Sequence, residues 1–469
     1  MTVSARRDDF ISYEKKYTLI DDCTRGQDAI KNGANFQKYL PLPLGVASTE
    51  SKKYKLYKEL AFYPNIVGRT SEALTGLAFR KQPSFNPEAI EGIEYLADRC
   101  SLDGEGVTQF SKKILSHVIN YGRAGILVDF PEYGNPTPSI AEKEANNLYS
   151  YMAFYPTHSI INWNHKQVGA VKKLNLVVLH EEYLDFTKFD SKYKERWRVL
   201  MLDDGVYRQL VYDQDSDEPT KTFTPTDYGE NTFSSIPFVF CGSTNNNSDM
   251  DKPPMLDLCH ANINLYRLYA DHRWILHNMA DPFRYITNIS KREQEDLERQ
   301  GIKSGATKTL MLSGNSTIGN LELQENSSLS NEIDRSVAMM MAMGAKMVKN
   351  DSVNESATAA KIKASTEDSV LLSVMGNVSS AIDEAIRYVC MFEGAEYIKG
   401  AFSLDKNVIE EITEAQTLSV VLQAVMSGNS PRLPLYNALK SINLISEDMT
   451  YEEFIADIIK ERESFNEFS

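Results

Sequence analysis

Apolar positions along the first 250 residues alternate between two regimes. Leu56 and Leu60, then Ile66, Val67, Leu74 and Leu77, fall at helical spacing on either side of position 64, which predicts helix over this stretch. Pro64 lies inside it and must mark a break, because proline lacks an amide hydrogen and clashes with the preceding turn. A second helix is predicted over 109–121, with Ile114, Leu115, Val118 and Ile119 on one face and Gly122 ending it in the left-handed conformation. Residues 125–130 are a short apolar run closed by Pro131, the pattern of a buried strand, and a polar loop is expected from there to about Asn147. Strands follow over 149–155, 174–183, 197–202 and 206–212, the last two joined by a tight hairpin at Asp203, Asp204 and Gly205. One more apolar strand is expected over 234–242, and 243–252 reads as a polar linker.

From Pro253 the period becomes helical. Leu258, Ala261, Leu265, Leu268, Ile275 and Met279 predict a helix to about Asp281, with Pro254 in its first turn. The segment 282–326 is mixed, with a charged helical piece over 291–299 and short strands near 308–312 and 319–323. Helix resumes over 330–348, apolar at Ile333, Val337, Met340, Met341, Gly344 and Val348. After a short aperiodic polar stretch, 349–356, Ile362, Val370, Val374, Val378, Ile382, Ile386 and Val389 carry a helix to about Phe392, roughly 50 Å long at about 1.5 Å per residue. The tail reads as a helix over 409–426, a proline-marked turn at 430–434 and two further helices. Strands and helices in this order give an α+β fold class.

Composition narrows the class without changing this map. With 42% hydrophobic and 25% charged residues the chain is an ordinary folding sequence, and its 469 residues accommodate roughly two to four structural regions. No run approaches a membrane-spanning length, and residues 1–10 are polar and charged, so a soluble, non-secreted chain is expected. Cys23, Cys100, Cys241, Cys259 and Cys390 are odd in number and far apart, which favours buried free thiols over disulfides or a zinc site. The net charge of -15 argues against a surface that grips DNA phosphates, and -7 of it falls in the 69 residues from Ala401 onward.

Familiar catalytic motifs fail on spacing. Residues 301–309 (GIKSGATKT) hold glycines, a lysine and a threonine, but Ala306, Thr307 and Lys308 stand where a phosphate loop needs Gly, Lys and Ser or Thr. Gly314 to Gly319 is followed by Asn320 and Leu321 and fails likewise. His180, Glu181 and Glu182 lack the second histidine of a zinc-protease helix and read as strand, while His260, His272 and His277 are too far apart on their helix to share a metal. There is no nucleophile elbow. Asp129, at the end of a buried strand, is the best lone carboxylate, and a structural role is favoured for it. Met339, Met340, Met341, Met343 and Met347 suit either a promiscuous binding groove or, favoured by their helical spacing, core or helix-to-helix packing, and an interface between identical subunits satisfies both descriptions. No catalytic residue, metal ligand or cofactor is expected.

Several segments, read in order, resemble the portal proteins (head-tail connectors) of tailed bacteriophages. They are ALTGLAFRKQP (73–83), LDGEGVTQFSKKILSHVINYGRAGILVDFP (102–131), YPTHSIINWN (155–164), RWRVLMLDDGVY (196–207), SIPFVFCG (235–242), KPPMLDLCHANINLYRLYADHRWILH (252–277) and NESATAAKIKASTEDSVL (354–371). The likeness spans about 62–392, and it is the order and spacing of the fragments that make it specific. It implies a portal-protein fold: a mixed α/β wing over 1–252, stem helices at 253–281 and 330–348, and a small mixed clip at 282–329 between them. A tunnel loop at 349–356, a long wing helix at 357–395 and a crown-like helical region at 396–469 would follow.

The resemblance also implies a dodecameric ring at one capsid vertex, with double-stranded DNA passing through its channel. The expected partners are the terminase large subunit, which supplies the ATPase, the major capsid and scaffolding proteins, and later a neck, head-completion or tail adaptor; no membrane is involved. The protein would reside in the virion, and in the host cytoplasm during assembly. Lys349, Asn350, Asp351, Ser352, Val353 and Asn354 would face the DNA, Arg335 and Lys346 would line the channel from a stem helix, and Arg284, Lys291, Arg292, Glu295, Arg299 and Lys303 would dock terminase or neck on the clip. The alternatives are a capsid-associated adaptor or scaffold without a DNA channel, or an α/β enzyme of unknown type.

Overall fold

The computed structural model describes residues 2–43, 45–86, 90–131, 140–186, 189–214, 216, 218–280, 283–288, 290–292, 295, 317–321, 327–348, 369–405, 422, 433–441, 445, 449–456 and 458. It is mixed α+β, with antiparallel sheets. The chain divides into two compact units: Met1–Ile20, Arg69–Leu256 and Gly344–Ser469 form the first, and Asp21–Gly68 with Asp257–Met343 the second.

The helices are α1 (Asp8–Arg25), α2 (Gln27–Asn32), α3 (Phe36–Tyr39), α4 (Lys52–Leu60), α5 (Ile66–Ala78), α6 (Val107–Tyr121), α7 (Ile140–Asn146), α8 (Leu256–Ala280), α9 (Ser327–Val348), α10 (Val370–Glu393) and α11 (Leu433–Ser441). The strands are β1 (Ser84–Phe85), β2 (Arg123–Asp129), β3 (Tyr151–Pro156), β4 (Ile160–Val168), β5 (Val171–Phe186), β6 (Ser191–Asp203), β7 (Val206–Asp213), β8 (Lys221–Phe223), β9 (Phe238–Gly242), β10 (Phe283–Thr287), β11 (Thr317–Leu321) and β12 (Phe402–Ser403).

The first unit is built on two larger sheets. β2 is the middle strand of a three-stranded sheet, between β3 and β9, and all seven of its residues are buried. That is why its sequence is continuously apolar instead of alternating. Gly125 sits at its centre because a Cβ there would meet the Phe238 ring and the Ile160 side chain. α6 and α10 both pack on this sheet. α10 buries Leu371, Val374, Met375, Val378, Ala381, Ile382, Ala385, Ile386 and four further side chains along one face. Burial of this kind contributes about 1.5–3 kcal/mol per large aliphatic side chain. Ser369 caps its N-terminus by accepting from the Leu372 amide, and Gly394 ends it at φ 74°. The second sheet is a five-stranded meander, β4 to β8 in chain order. β6 and β7 close a two-residue hairpin at Asp204 (φ 50°) and Gly205 (φ 81°), the left-handed pair that matches strand twist.

Among its described residues the second unit is helical apart from one strand pair. The break at Pro64 leaves backbone groups open between α4 and α5, and the fully buried Asn262 of α8 closes them: its Nδ2 donates to the Pro64 carbonyl (2.9 Å) and its Oδ1 accepts from the Val67 amide (3.3 Å). Arg267 likewise donates to the Tyr39 and Lys38 carbonyls at the end of α3 (2.9 Å each). Tyr57 donates to Asp271 at 2.6 Å.

The predicted helix breaks and strand order match, and several extents differ. The expected polar loop to Asn147 contains α7. Strands β5 and β6 run well beyond the predicted 174–183 and 197–202, because hairpin pairing extends them through polar, half-exposed residues that carry no apolar signal. The helix expected from Pro253 starts at Leu256, so Pro254 precedes its first turn. The strand expected at 319–323 is β11, and its partner β10 had no predicted counterpart. The strand expected near 308–312, residues 357–368 of the long helix and most of the tail lie outside the described residues. All five cysteines are buried and free. No helix among the described residues is long and apolar enough to cross a membrane.

Candidate functional site

Within the second unit, residues 257–343 run in the order helix, strand pair, helix. α8 rises for 25 residues, about 37 Å at about 1.5 Å per residue. Its buried side chains end at Ala270; from Asp271 to Met279 every side chain is exposed or intermediate, and Leu276 is one of the exposed apolar residues. Three residues beyond α8, β10 pairs antiparallel with β11, from Phe283 opposite Leu321 to Thr287 opposite Thr317. This register sets the two strands side by side in opposite directions. α9 then follows over 22 residues.

The sequence-nominated residues distribute over this segment as follows. Arg284 lies on β10 opposite Asn320. Lys291, Arg292 and Glu295 are exposed and helical, in line with the charged helical piece expected there. Arg335 and Lys346 are exposed on α9. Arg299 and Lys303, and all of Lys349, Asn350, Asp351, Ser352, Val353 and Asn354, lie outside the described residues. The methionine group of α9 divides: Met340 is buried, Met339 and Met341 are exposed, and Met343 and Met347 are intermediate.

A second, buried constellation joins the two larger sheets of the first unit. Asp129, on β2, accepts from the Gln209 side chain (3.0 Å), the Phe130 amide (3.0 Å) and the Tyr151 hydroxyl (3.4 Å), with the Arg198 guanidinium 4.0 Å away. Arg198 also donates to Gln209 (3.0 Å) and to Glu181 (2.7 Å), and Glu181 accepts further bonds from Arg196 and from the Tyr155 hydroxyl. Burial pushes the Asp129 carboxyl up to about 6, against the pull of Arg198. Burial opposes ionisation of Glu181 too, but Arg198 and Arg196 outweigh it and hold that carboxyl below its ordinary range. The cluster as a whole thereby joins β2 and β3 to β5, β6 and β7. The sequence carried a trace of this: Arg196 and Arg198 share one face of β6, and Glu181 is the central residue of the motif that failed as a zinc-protease helix.

The same unit holds a cavity of about 750 Å³ whose lining includes Arg7, His165, Lys172, Asp249, Glu384 and Tyr388. Burial and the neighbouring Arg7 push the His165 imidazole below its ordinary value. Beside it, Trp163 carries a guanidinium on its ring from Arg7 (4.6 Å) and another from Arg123 (3.9 Å). Arg123 is buried, its Nε and Nη2 have no hydrogen-bond partner among the described residues, and burial pushes its guanidinium down to about 9.

A family model described as a domain of unknown function (DUF4055) matches residues 254–393, which takes in α8, the β10/β11 pair, α9 and α10. No curated protein matches. Among solved structures, a chain from the neck of an empty GTA particle, computed with C6 symmetry, aligns at 13% identity with a TM-score of 0.35, over 82% of this chain and 96% of that one. Similarity at that level carries neither a fold nor a role across.

Proposed function

We propose that this chain is a portal protein of a tailed bacteriophage: one subunit of the ring at a capsid vertex through which the genome is packaged and later leaves. The single observation that carries the reading is the order of helix, strand pair and helix over 256–348, followed by a long helix packed on the three-stranded sheet, the same order as the sequence fragments that resemble portal proteins. One family model spanning 254–393 treats these elements as one module, which supports reading them together.

In this reading 1–252 is the wing, α8 and α9 are the stem, 282–329 is the clip, and 349–356 is the loop nearest the DNA. Arg284, Lys291, Arg292, Glu295, Arg299 and Lys303 belong to the surface that docks the terminase large subunit during packaging and the neck or tail adaptor afterwards. The capsid and scaffolding proteins surround the ring in the virion, and ATP hydrolysis is left to the terminase. An acidic chain suits a channel that must let DNA slide, since strong phosphate contacts come from clustered Lys and Arg.

Negative-stain electron microscopy of the purified protein tests the reading directly. Closed rings with a central opening wide enough for duplex DNA are expected. Monomers only, at every protein and salt concentration, or open filaments, would refute it.

A further inference from the structure

Resting on the ring reading above, we propose that α9 joins one copy of this chain to the next through two different flanks, one centred on Met339 with Arg335 and the other on Met341 with Asp334. Successive helical residues are rotated by about 100°. Met340 and Ile333, seven positions apart, are buried and define the inward stripe. Met339 and Met341 therefore point to opposite sides of that stripe, and both are open to solvent, 53% and 69% exposed. A long apolar side chain left exposed on each side of a buried stripe is what a helix needs when it will be covered from both sides.

The charges on the two flanks differ in sign. Positions four and seven apart share a side of a helix. Arg335 is four before Met339 and Lys346 seven after it, so the first flank carries these two cations, partly offset by Glu332, seven before. Asp334 is seven before Met341 and Ala345 four after, so the second flank carries one anion and no cation. Glu332, Asp334, Arg335, Ala345 and Lys346 are all exposed, and none of the four charged residues has an ion-pair partner among the described residues. A two-fold contact would set either flank against itself, net positive against net positive or anion against anion. Contact of the first flank with the second flank of a neighbouring copy pairs Met339 with Met341 and Arg335 with Asp334. Such a head-to-tail contact repeats from copy to copy and closes into a ring when its rotation divides a full turn, which is what the ring reading requires.

Two variants and their mixture test this. Met339→Glu blocks the first flank and Met341→Glu the second, and both sites are exposed in a helix that glutamate suits, so circular dichroism should match the wild type. Each variant alone, having one blocked side at every contact, should need about tenfold or more higher concentration to assemble, read by mass photometry. Mixed one to one, they should form heterodimers, because the open flank of each meets the open flank of the other, and stop there. Asp334→Arg and Arg335→Asp should each weaken assembly, and the double variant should restore it. If either methionine variant closes rings at the wild-type concentration, or the mixture gives no heterodimer, the flank assignment is wrong while the ring reading stands. If the wild type itself forms no ring, both fall.

Discussion

Helices α9 and α10 have nearly equal length and both carry apolar residues at helical spacing, yet they do opposite things with them. α10 buries twelve of its 24 residues against the first unit's sheet and α6. Among the described side chains of α9, only Ile333 and Met340 are buried. The difference in composition is consistent with this: α10 presents Leu, Val and Ile, whose branched shapes fix a single packing, while the apolar set of α9 is dominated by unbranched methionine, which adapts to surfaces that form later. Periodicity reports that a helix has an apolar face. It does not report whether the chain's own core or another molecule covers it.

The strongest way to sharpen the contrast is to break the part that holds the first unit's sheets together. Arg198→Ala removes the cation shared by Glu181 and Asp129, leaving the buried Asp129 with no cation and Glu181 with Arg196 alone, so a loss of about 3–5 kcal/mol is expected. Chemical denaturation followed by circular dichroism measures it. A loss below about 1 kcal/mol, the range of exposed pairs, would mean that the cluster is solvated and does not join the sheets. Next in size is Ile382→Ala in α10, fully buried, which should cost about 2–5 kcal/mol through lost burial and the cavity left behind.

How much of this was legible follows the same divide. The helix break at Pro64, the stop at Gly122, the hairpin at Asp204 and Gly205 and the buried strand before Pro131 were readable because each rests on a local steric rule. β4 and α1 left weaker traces. β4 turns from buried Ile160, Ile161 and Trp163 to exposed lysine and glutamine within one strand, and α1 is largely charged. Glu181 and Arg198 meet across the β5–β6 hairpin, but Asp129 comes from β2, distant in sequence, and no local pattern announces that it joins them. At the candidate site, the helix, mixed segment and helix were readable, and so were the exposed Lys291, Arg292 and Glu295. The division of the methionines was not, since exposure depends on which neighbours the fold supplies.

The Asp129→Asn variant probes the cluster through pH. The folded-state carboxyl lies near 6, above its ordinary value near 4, so the folded protein holds the proton more tightly than the unfolded chain. The neutral acid's contribution to stability is therefore fully present below about pH 4 and is lost as pH rises through about 6. Asparagine does not titrate. Glu181 titrates in both proteins and cancels from their difference. From pH 4 to pH 7 the variant should gain on the wild type by up to roughly 3 kcal/mol, in denaturation curves measured at each pH. A difference that stays flat over this range would mean that Asp129 is ionised throughout.

The smallest expected effect closes the comparison. Met341→Ala shortens an apolar side chain that is already mostly in water, so little burial is lost and no cavity forms, and alanine favours the helix slightly more than methionine does. The stability of the isolated chain, measured by thermal or denaturant unfolding at a concentration below assembly, should change by less than about 0.5 kcal/mol, several-fold less than for Ile382→Ala. At concentrations where copies associate, the same substitution should lower the assembled fraction, because the contact it weakens exists only between chains. A loss near 2 kcal/mol in the isolated chain would instead place Met341 in that chain's own core and make α9 a helix of the same kind as α10.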